Sequence, residues 1–415
     1  MEACDSPEIR AKRAGLLINL YGEDGIKQAC ELIGSDNLCR VRYEGWTIKQ
    51  WIERKRAAIQ RHHRKETLEQ EHPALKTIVG ESQHILDVCA QMMRYAPTTL
   101  PILITGETGT GEEVIAGGLH NLSGRARRPF RILDCAAVPE TLFESELFGS
   151  KKGAFTGAVA DRTGLLETAD GGTLCVDEIA KLPLNLQGKL LRVIDRGEFY
   201  RLGDPKLRHV DVRIISATNQ NLQTMAREGN FLEDLYYRLN QVEIPLLPLR
   251  DRPEDIPLLA EHFANHFAAQ NNALSFSPYD IWRWLWKHLQ GVKPEVTREF
   301  NVGEVPNAER PTMRLGRGNA RELRGKVENA IIEGDLRRLG NYPFIDYFMF
   351  FGREGGLHRI VGARSYKPEG IEDADWELAK ELCGKAEGSR RLVLGKDMAK
   401  LFGMSESTFS RKIAG

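Results

Sequence analysis

Four short apolar runs punctuate the middle of the chain: PILITG (101–106), PFRILDC (129–135), GGTLCVDE (171–178) and HVDVRIISATN (209–219). Each has the length and texture of a buried strand, and the segments between them carry helical periodicity. That alternation predicts an α/β fold, with a parallel sheet covered by helices on both faces. The flanks read differently. Residues 1–74 are mixed in pattern and contain a charged helical stretch, WIERKRAAIQRHHRKETLEQEH, that ends before Pro73. After IPLLPLRDRPEDIP the strand pattern stops, and LLAEHFANHFAAQ and DIWRWLWKHL read as amphipathic helices of a smaller subdomain. Residues 290–318 are rich in Pro and Gly and read as a long loop, and a last helical segment begins near Ile371. The expected organisation is an N-terminal region with a linker helix (1–74), an α/β domain (75–245), a helical subdomain with an inserted loop (246–334), a linker (335–370) and a C-terminal helical domain (371–415).

Composition narrows the class without naming a chemistry. The chain has 415 residues, 41% of them hydrophobic and 28% charged, in the range of a soluble globular protein of a few domains. Lys plus Arg (58) equals Asp plus Glu (58), so any contact with nucleic acid must come from a local patch. The opening MEACDSPEIR is acidic and polar, unlike a signal peptide, and no apolar run reaches the ~18 residues of a membrane span. A cytoplasmic protein with no membrane partner is expected. The seven cysteines form no C-x-x-C pair and no zinc-type array with His, so they are expected to be reduced and mostly buried.

The first candidate chemistry lies at GETGTGEE, Gly106 to Glu113, between the run ending at Thr105 and the helical VIAGGLH. A strand that turns into a helix through glycines is the setting of a phosphate-binding loop, G-x-x-x-x-G-K-[ST]. There, backbone N–H groups cradle phosphates and a lysine reaches the β- and γ-phosphates. Here the lysine position holds Glu112. Asp177 and Glu178 close another apolar run, where open α/β sheets place their chemistry.

Taken together, ESELFGSKKGAFTGA (144–158), ADGGTLCVDEIAKLPLNLQGKLLRVI (169–194), RIISATNQNL (213–222), FLEDLYYRLNQVEIPLLPLRDRPEDIPLL (231–259) and GNARELRGKVENAI (318–331) resemble the AAA+ domain of sigma-54-dependent transcriptional activators, the bacterial enhancer-binding proteins. The resemblance covers roughly residues 76–334. It implies an AAA+ P-loop domain with a helical lid and a C-terminal helix-turn-helix. It also implies an oligomeric ring, usually a hexamer, that hydrolyses ATP with Mg²⁺ to remodel the closed promoter complex of RNA polymerase carrying sigma-54. On this basis Gly106, Glu107, Thr108, Gly109, Thr110, Gly111, Glu112 and Glu113 line the nucleotide, with Arg321 as second sensor in the lid. Asp177 helps hold Mg²⁺, Glu178 polarises the attacking water, Asn219 is the sensor near the γ-phosphate and Arg238 is the arginine finger toward a neighbouring subunit. Gly153, Ala154, Phe155, Thr156, Gly157 and Ala158 form the loop that touches the sigma factor. Its glycines permit a tight protruding turn that carries Phe155 and Thr156 at the tip.

The sequence departs from the family pattern at Glu112, at Asp134 (usually asparagine), at Leu232 (usually the first arginine of its motif) and at Gly316-Arg317 (usually Trp-Pro). Two unit charges ~4 Å apart at an effective dielectric of ~20 interact by roughly 4 kcal/mol, so an anion in place of the cation removes several kcal/mol of phosphate affinity. Weak ATP binding and impaired hydrolysis are expected, and whether the chain is an active ATPase is left open. The tail, LGKDMAKLFGMSESTFSRKIAG (394–415), reads as two short helices joined at Gly403, with Ser405 as N-cap of the second. Ser405, Glu406, Ser407, Ser410, Arg411 and Lys412 are left for DNA contact; taken alone, the pattern also fits a packed helical hairpin. Three readings follow: a sigma-54-dependent activator that spends ATP, a hydrolysis-deficient DNA- and sigma-binding homologue acting as repressor, decoy or silent ring subunit, or a degenerating gene product that folds poorly. Residues 1–74 lack the pattern of a phospho-receiver domain, so the input signal is open.

Overall fold

In a computed structural model of the chain, the structure describes residues 7–43, 46–155, 158–271 and 318–332, together with 407, 408, 410 and 411. It divides into two compact units. One is built from 67–252 with the described start of the segment 315–323, and the other from the described parts of 1–66, 253–314 and 324–415.

The first unit is built on five strands, β1 (Ile102–Gly106), β2 (Phe130–Asp134), β3 (Thr173–Asp177), β4 (Arg213–Thr218) and β5 (Glu243–Leu246). They pair in parallel in the order β5-β1-β4-β3-β2, so β1 and β4 sit side by side at the centre and their C-terminal ends open on the same edge. Successive side chains fall on opposite faces. Leu103, Leu133, Leu174, Val176 and Ile214 enter one core, and Ile102, Ile104, Cys175, Ile215, Ala217 and Ile244 the other. This two-sided burial is why the runs read as continuously apolar in sequence. The second face is covered by helices α3 (Gln83–Tyr95) and α4 (Glu112–Asn121), through Ile85, Val88, Met92, Ile115 and Leu119. The first face is covered by α5 (Glu140–Phe148), α6 (Leu184–Arg196), α7 (Leu222–Arg227) and α8 (Glu233–Leu239).

The α/β prediction holds and all four runs form strands. The fifth strand, β5, lies in VEIPLLPL beyond them and contains Pro245. Among the described strands it pairs only with β1. An edge position is where a proline, lacking an N–H, is tolerated, and for the same reason the segment does not read as a strand. A buried cation ties the entry to the sheet: the Arg213 guanidinium donates to the carbonyls of Ala96 (2.7 Å), Tyr95 (2.9 Å) and Leu100 (3.3 Å). Burial pulls its pKa down to about 10.

In the second unit, α1 (Pro7–Ile33) and the first part of α2 (Ile48–Glu71) form a small core of Leu17, Ile18, Ile26, Ile48 and Trp51. The helix predicted to end before Pro73 is α2. Helix α9 (Ile256–Gln270) is the first of the two amphipathic helices expected after the sheet, and α10 (Asn319–Ile332) begins in the first unit and ends in this one. The second lid helix, the 290–318 loop up to residue 317 and the segment from 371 lie outside the described residues, apart from the four tail positions. Of the cysteines, Cys89, Cys135 and Cys175 are free and buried, Cys30 is half-buried and free Cys39 is exposed. Cys4 and Cys383 lie outside the described residues. Among the described residues no helix is long and apolar enough to cross a membrane.

Candidate functional site

The loop 106–112 leaves the C-terminal end of β1 and enters α4, as its sequence predicts. Gly109 (φ +82°) and Gly111 (φ +113°) occupy conformations that side-chain-bearing residues avoid. Gly106 has no room for a side chain: a Cβ there would stand 2.6 Å from Thr110 Oγ1 and 3.1 Å from Leu246 Cβ. Glycines at these points let the backbone coil tightly over the sheet edge, so its N–H groups converge at a helix N-terminus.

The first turn of α10 seals one side of the loop. The Ala320 N–H donates to the Gly109 carbonyl at 3.1 Å. The Asn319 side chain accepts from Leu249 N at 2.8 Å and donates to the Thr108 carbonyl at 3.2 Å. Asn319 takes φ +48°, a left-handed conformation that asparagine tolerates better than most residues. Arg321, two residues on in the same turn, stands close enough to Asp177 to favour its charged form. Arg252 donates to the Thr110 carbonyl at 2.9 Å, and Arg250 grips Glu107 with two bonds of 2.6 and 2.7 Å. Asn319, Arg250 and Arg252 were not singled out in the sequence. They lie inside the quoted motifs GNARELR and LRDRPED, but their part in holding the loop depends on contacts across more than a hundred residues.

The acids gather opposite. Asp177 ends β3 beside Asp134 of β2, its partner in register, and accepts from Glu178 N at 2.9 Å. Glu178 has φ +51°, an uncommon conformation for a residue with a side chain, which turns its carboxylate out of the strand direction. Asn219, just past β4, spans the cleft: its amide donates to Thr108 Oγ1 at 2.8 Å and to Glu178 Oε1 at 3.2 Å. Glu178 Oε2 is buried without a partner. Burial is the main force raising the pKa of both Asp177 and Glu178, with neighbouring acids adding to it. Asp134 turns back to accept from Ala136 N at 2.7 Å, so here Asn219 is what holds the catalytic candidate Glu178.

Glu112, at the first position of α4, turns neither to solvent nor across the cleft. Its Oε2 accepts from Gly111 N at 3.2 Å, and its Oε1 lies 2.8 Å from the Thr110 hydroxyl. That hydroxyl also lies 2.9 Å from the Glu107 carbonyl, so its single proton is shared between them. Glu112 is also one of the charges that push the Glu178 pKa up. The backbone of the loop fits a phosphate group, and the side chains on it do not: no cation stands at the lysine position, and a loop N–H is engaged by the chain's own carboxylate.

Arg238 on α8 forms an ion pair with Asp195 of α6 at 2.7 Å. Leu232, which stands where the family has arginine, packs against the first core while its N–H donates to Gln187 Oε1 at 2.7 Å. An apolar side chain suits that position, and no free charge is offered there.

The 153–158 loop is formed at its base. Gly153 N donates to the Ala158 carbonyl at 2.8 Å, Ala158 N donates to Phe155 O at 3.0 Å, and Asp161 caps Lys152 N at 2.8 Å. The turn at Gly203, between the short strands Glu198–Tyr200 and Leu207–His209, packs on Ala154 so closely that a Cβ there would lie 2.7 Å from that residue's own Cβ. Phe155 and Val159 are exposed, Val159 at 82%. Thr156 and Gly157 lie outside the described residues. In the tail, Ser407, Ser410 and Arg411 are helical and exposed, and Ser405, Glu406 and Lys412 lie outside the described residues.

Residues 78–245 match the family described as the sigma-54 interaction domain. The chain is 46% identical over 240 residues to the regulatory protein AtoC of Escherichia coli (55% of this chain, 52% of that protein). It is 52% identical over 186 residues to the DNA-binding transcriptional regulator NtrC of Klebsiella pneumoniae (45% and 40%). Residues 78–245 of this chain are a sigma-54 interaction domain. The crystal structure of NtrX from Brucella abortus in complex with ATP superposes with a TM-score of 0.51 at 28% identity, covering 94% of this chain and 80% of that one. The chain spans about half the length of AtoC and less of NtrC.

Proposed function

We propose that the protein is a sigma-54-dependent transcriptional regulator. It acts as a subunit of an AAA+ ring, of hexameric type, that contacts sigma-54 RNA polymerase through the 153–158 loop and binds DNA through the 394–415 tail. What supports this most directly is the sigma-54 interaction domain with its GAFTGA segment intact in sequence and braced at its base. Bracing the base while leaving Phe155 and Val159 to solvent leaves apolar surface for a partner to cover.

In the active members of the family such a ring remodels the promoter complex with ATP and Mg²⁺. NtrX, a relative in fold and sequence, is crystallised with ATP. In this chain Asp177 would hold Mg²⁺, Glu178 with Asn219 would orient a water, and Arg321 would meet a phosphate. Glu112 works against that use: its carboxylate lies on the loop where the family has a lysine. A specific observation therefore favours the second reading, a DNA- and sigma-binding homologue deficient in hydrolysis, acting as repressor, decoy or silent ring subunit.

The experiment is capture of sigma-54 by the purified full chain beside its Thr156→Ala variant, with ATP turnover measured in parallel. The proposal expects capture by the parent, loss in the variant and turnover far below that of an active relative. Absence of capture by the parent removes the sigma-54 assignment.

A further inference from the structure

The phosphate loop lacks more than a cation. Two features of Glu112 are independent of the missing lysine. First, its carboxylate is the first side chain of α4, where the helix N-terminus favours negative charge, and Glu113 follows it in the same turn. Second, it is bonded back onto the loop, to Gly111 N at 3.2 Å and the Thr110 hydroxyl at 2.8 Å. Oriented loop N–H groups at a helix N-terminus hold a phosphate, a sulfate or a carboxylate by the same physics.

We propose that the Glu112 carboxylate is a tethered anion that fills the phosphate cradle of its own loop, so that the site is closed by an intramolecular ligand. This rests on the reading of 106–113 as a former nucleotide loop, and it makes a separate claim about that loop. If Glu112 only repelled a phosphate by its charge, Glu112→Ala would tighten nucleotide binding but leave amide exchange in the nucleotide-free loop unchanged. If the carboxylate occupies the cradle, a nucleotide must displace a group that is held at high effective concentration because it is covalently attached. Removing the side chain then frees the donors without adding any cation. The loop would also be ordered in the nucleotide-free chain, held in the shape that a bound phosphate otherwise imposes.

The test uses the full chain and three proteins: parent, Glu112→Ala and Glu112→Lys. Calorimetry with ADP and with ATP should find about tenfold tighter binding to Glu112→Ala than to the parent, the size of one displaced hydrogen bond. Glu112→Lys should bind tighter again. Without nucleotide, amide exchange across 106–113 should be slower in the parent than in Glu112→Ala, and inorganic phosphate should slow it in Glu112→Ala while leaving the parent unchanged. A Glu112→Ala variant that binds no better than the parent while Glu112→Lys does would overturn the tethered-anion proposal and leave the nucleotide-loop reading standing. Folded Glu112→Ala and Glu112→Lys chains that both fail to bind would overturn the nucleotide-loop reading itself, and the proposal with it. Equal exchange in parent and Glu112→Ala would show that the carboxylate does not hold the loop, and would likewise overturn the proposal.

Discussion

Two glycine-built loops leave the same α/β unit, and they are held in opposite ways. The 106–112 loop is gripped along its length: by the first turn of α10 through Asn319 and Ala320, by Arg250 on Glu107, by Arg252 on Thr110 and by its own Glu112. Among the described residues of the 153–158 loop, the bonds lie at its foot, in the Gly153–Ala158 pair, the Asp161 cap and the Gly203 turn, while Phe155 is 36% exposed and Val159, next to the loop, 82%. One loop has its polar groups satisfied by the fold; the other presents apolar groups that the fold leaves uncovered. A loop that must recognise a small anion needs its donors fixed in advance. A loop that must meet a protein needs only a firm base.

The sharpest way to break this contrast is to place the same substitution in both loops. Gly109→Ala puts a methyl group 2.5 Å from the Gly318 carbonyl at a left-handed position, which should cost about 3 kcal/mol by adding overpacking to backbone strain. Gly153→Ala faces open space at a similar φ, so only the backbone cost of about 1 kcal/mol should remain. Urea unfolding of the two variants measures both values, and equal losses would mean that the first loop is no more tightly packed than the second.

A pH series probes the far end of the helix that the phosphate loop begins. His120, buried in the last turn of α4 and 3.0 Å from Thr173 Oγ1, has its pKa lowered below 6.5, first by burial and also by Arg213, against a bond to the Arg128 backbone that raises it. A base whose folded pKa is depressed adds stability above its unfolded value and loses it as pH falls through the interval below. The melting temperature should therefore decline as pH drops below about 6.5. His120→Gln should flatten that component; an unchanged slope would remove His120 as its source.

A smaller effect is expected from Arg250→Ala. The bidentate pair with Glu107 is roughly two-fifths exposed on both sides, so its loss should cost no more than about 1 kcal/mol. Its signature should be faster amide exchange confined to 106–112. The smallest stability change belongs to Val159→Ala, within about 0.5 kcal/mol by denaturant unfolding because the side chain is 82% exposed. Sigma-54 capture should nonetheless fall, and a large loss of stability would show that Val159 packs on the fold.

Local pattern determined much of this protein by itself. Alternating strand runs and helical periodicity gave the α/β unit, because burial on both faces of a parallel sheet writes an apolar run into each strand. Motif order carried the resemblance to the sigma-54 interaction domain, and with it the place of the 153–158 loop. The edge strand at Glu243–Leu246 escaped, since a strand that tolerates Pro245 does so only because of where it lies in the sheet. The tertiary structure alone decided what the polar side chains do. Whether Glu112 faces solvent or its own loop, whether Glu178 is held by Asp134 or Asn219, and that Arg250 closes on Glu107 from 143 residues away are settled by which atoms the fold brings within about 3 Å. Hydrogen bonds act over that distance and no further, and sequence separation carries no record of it.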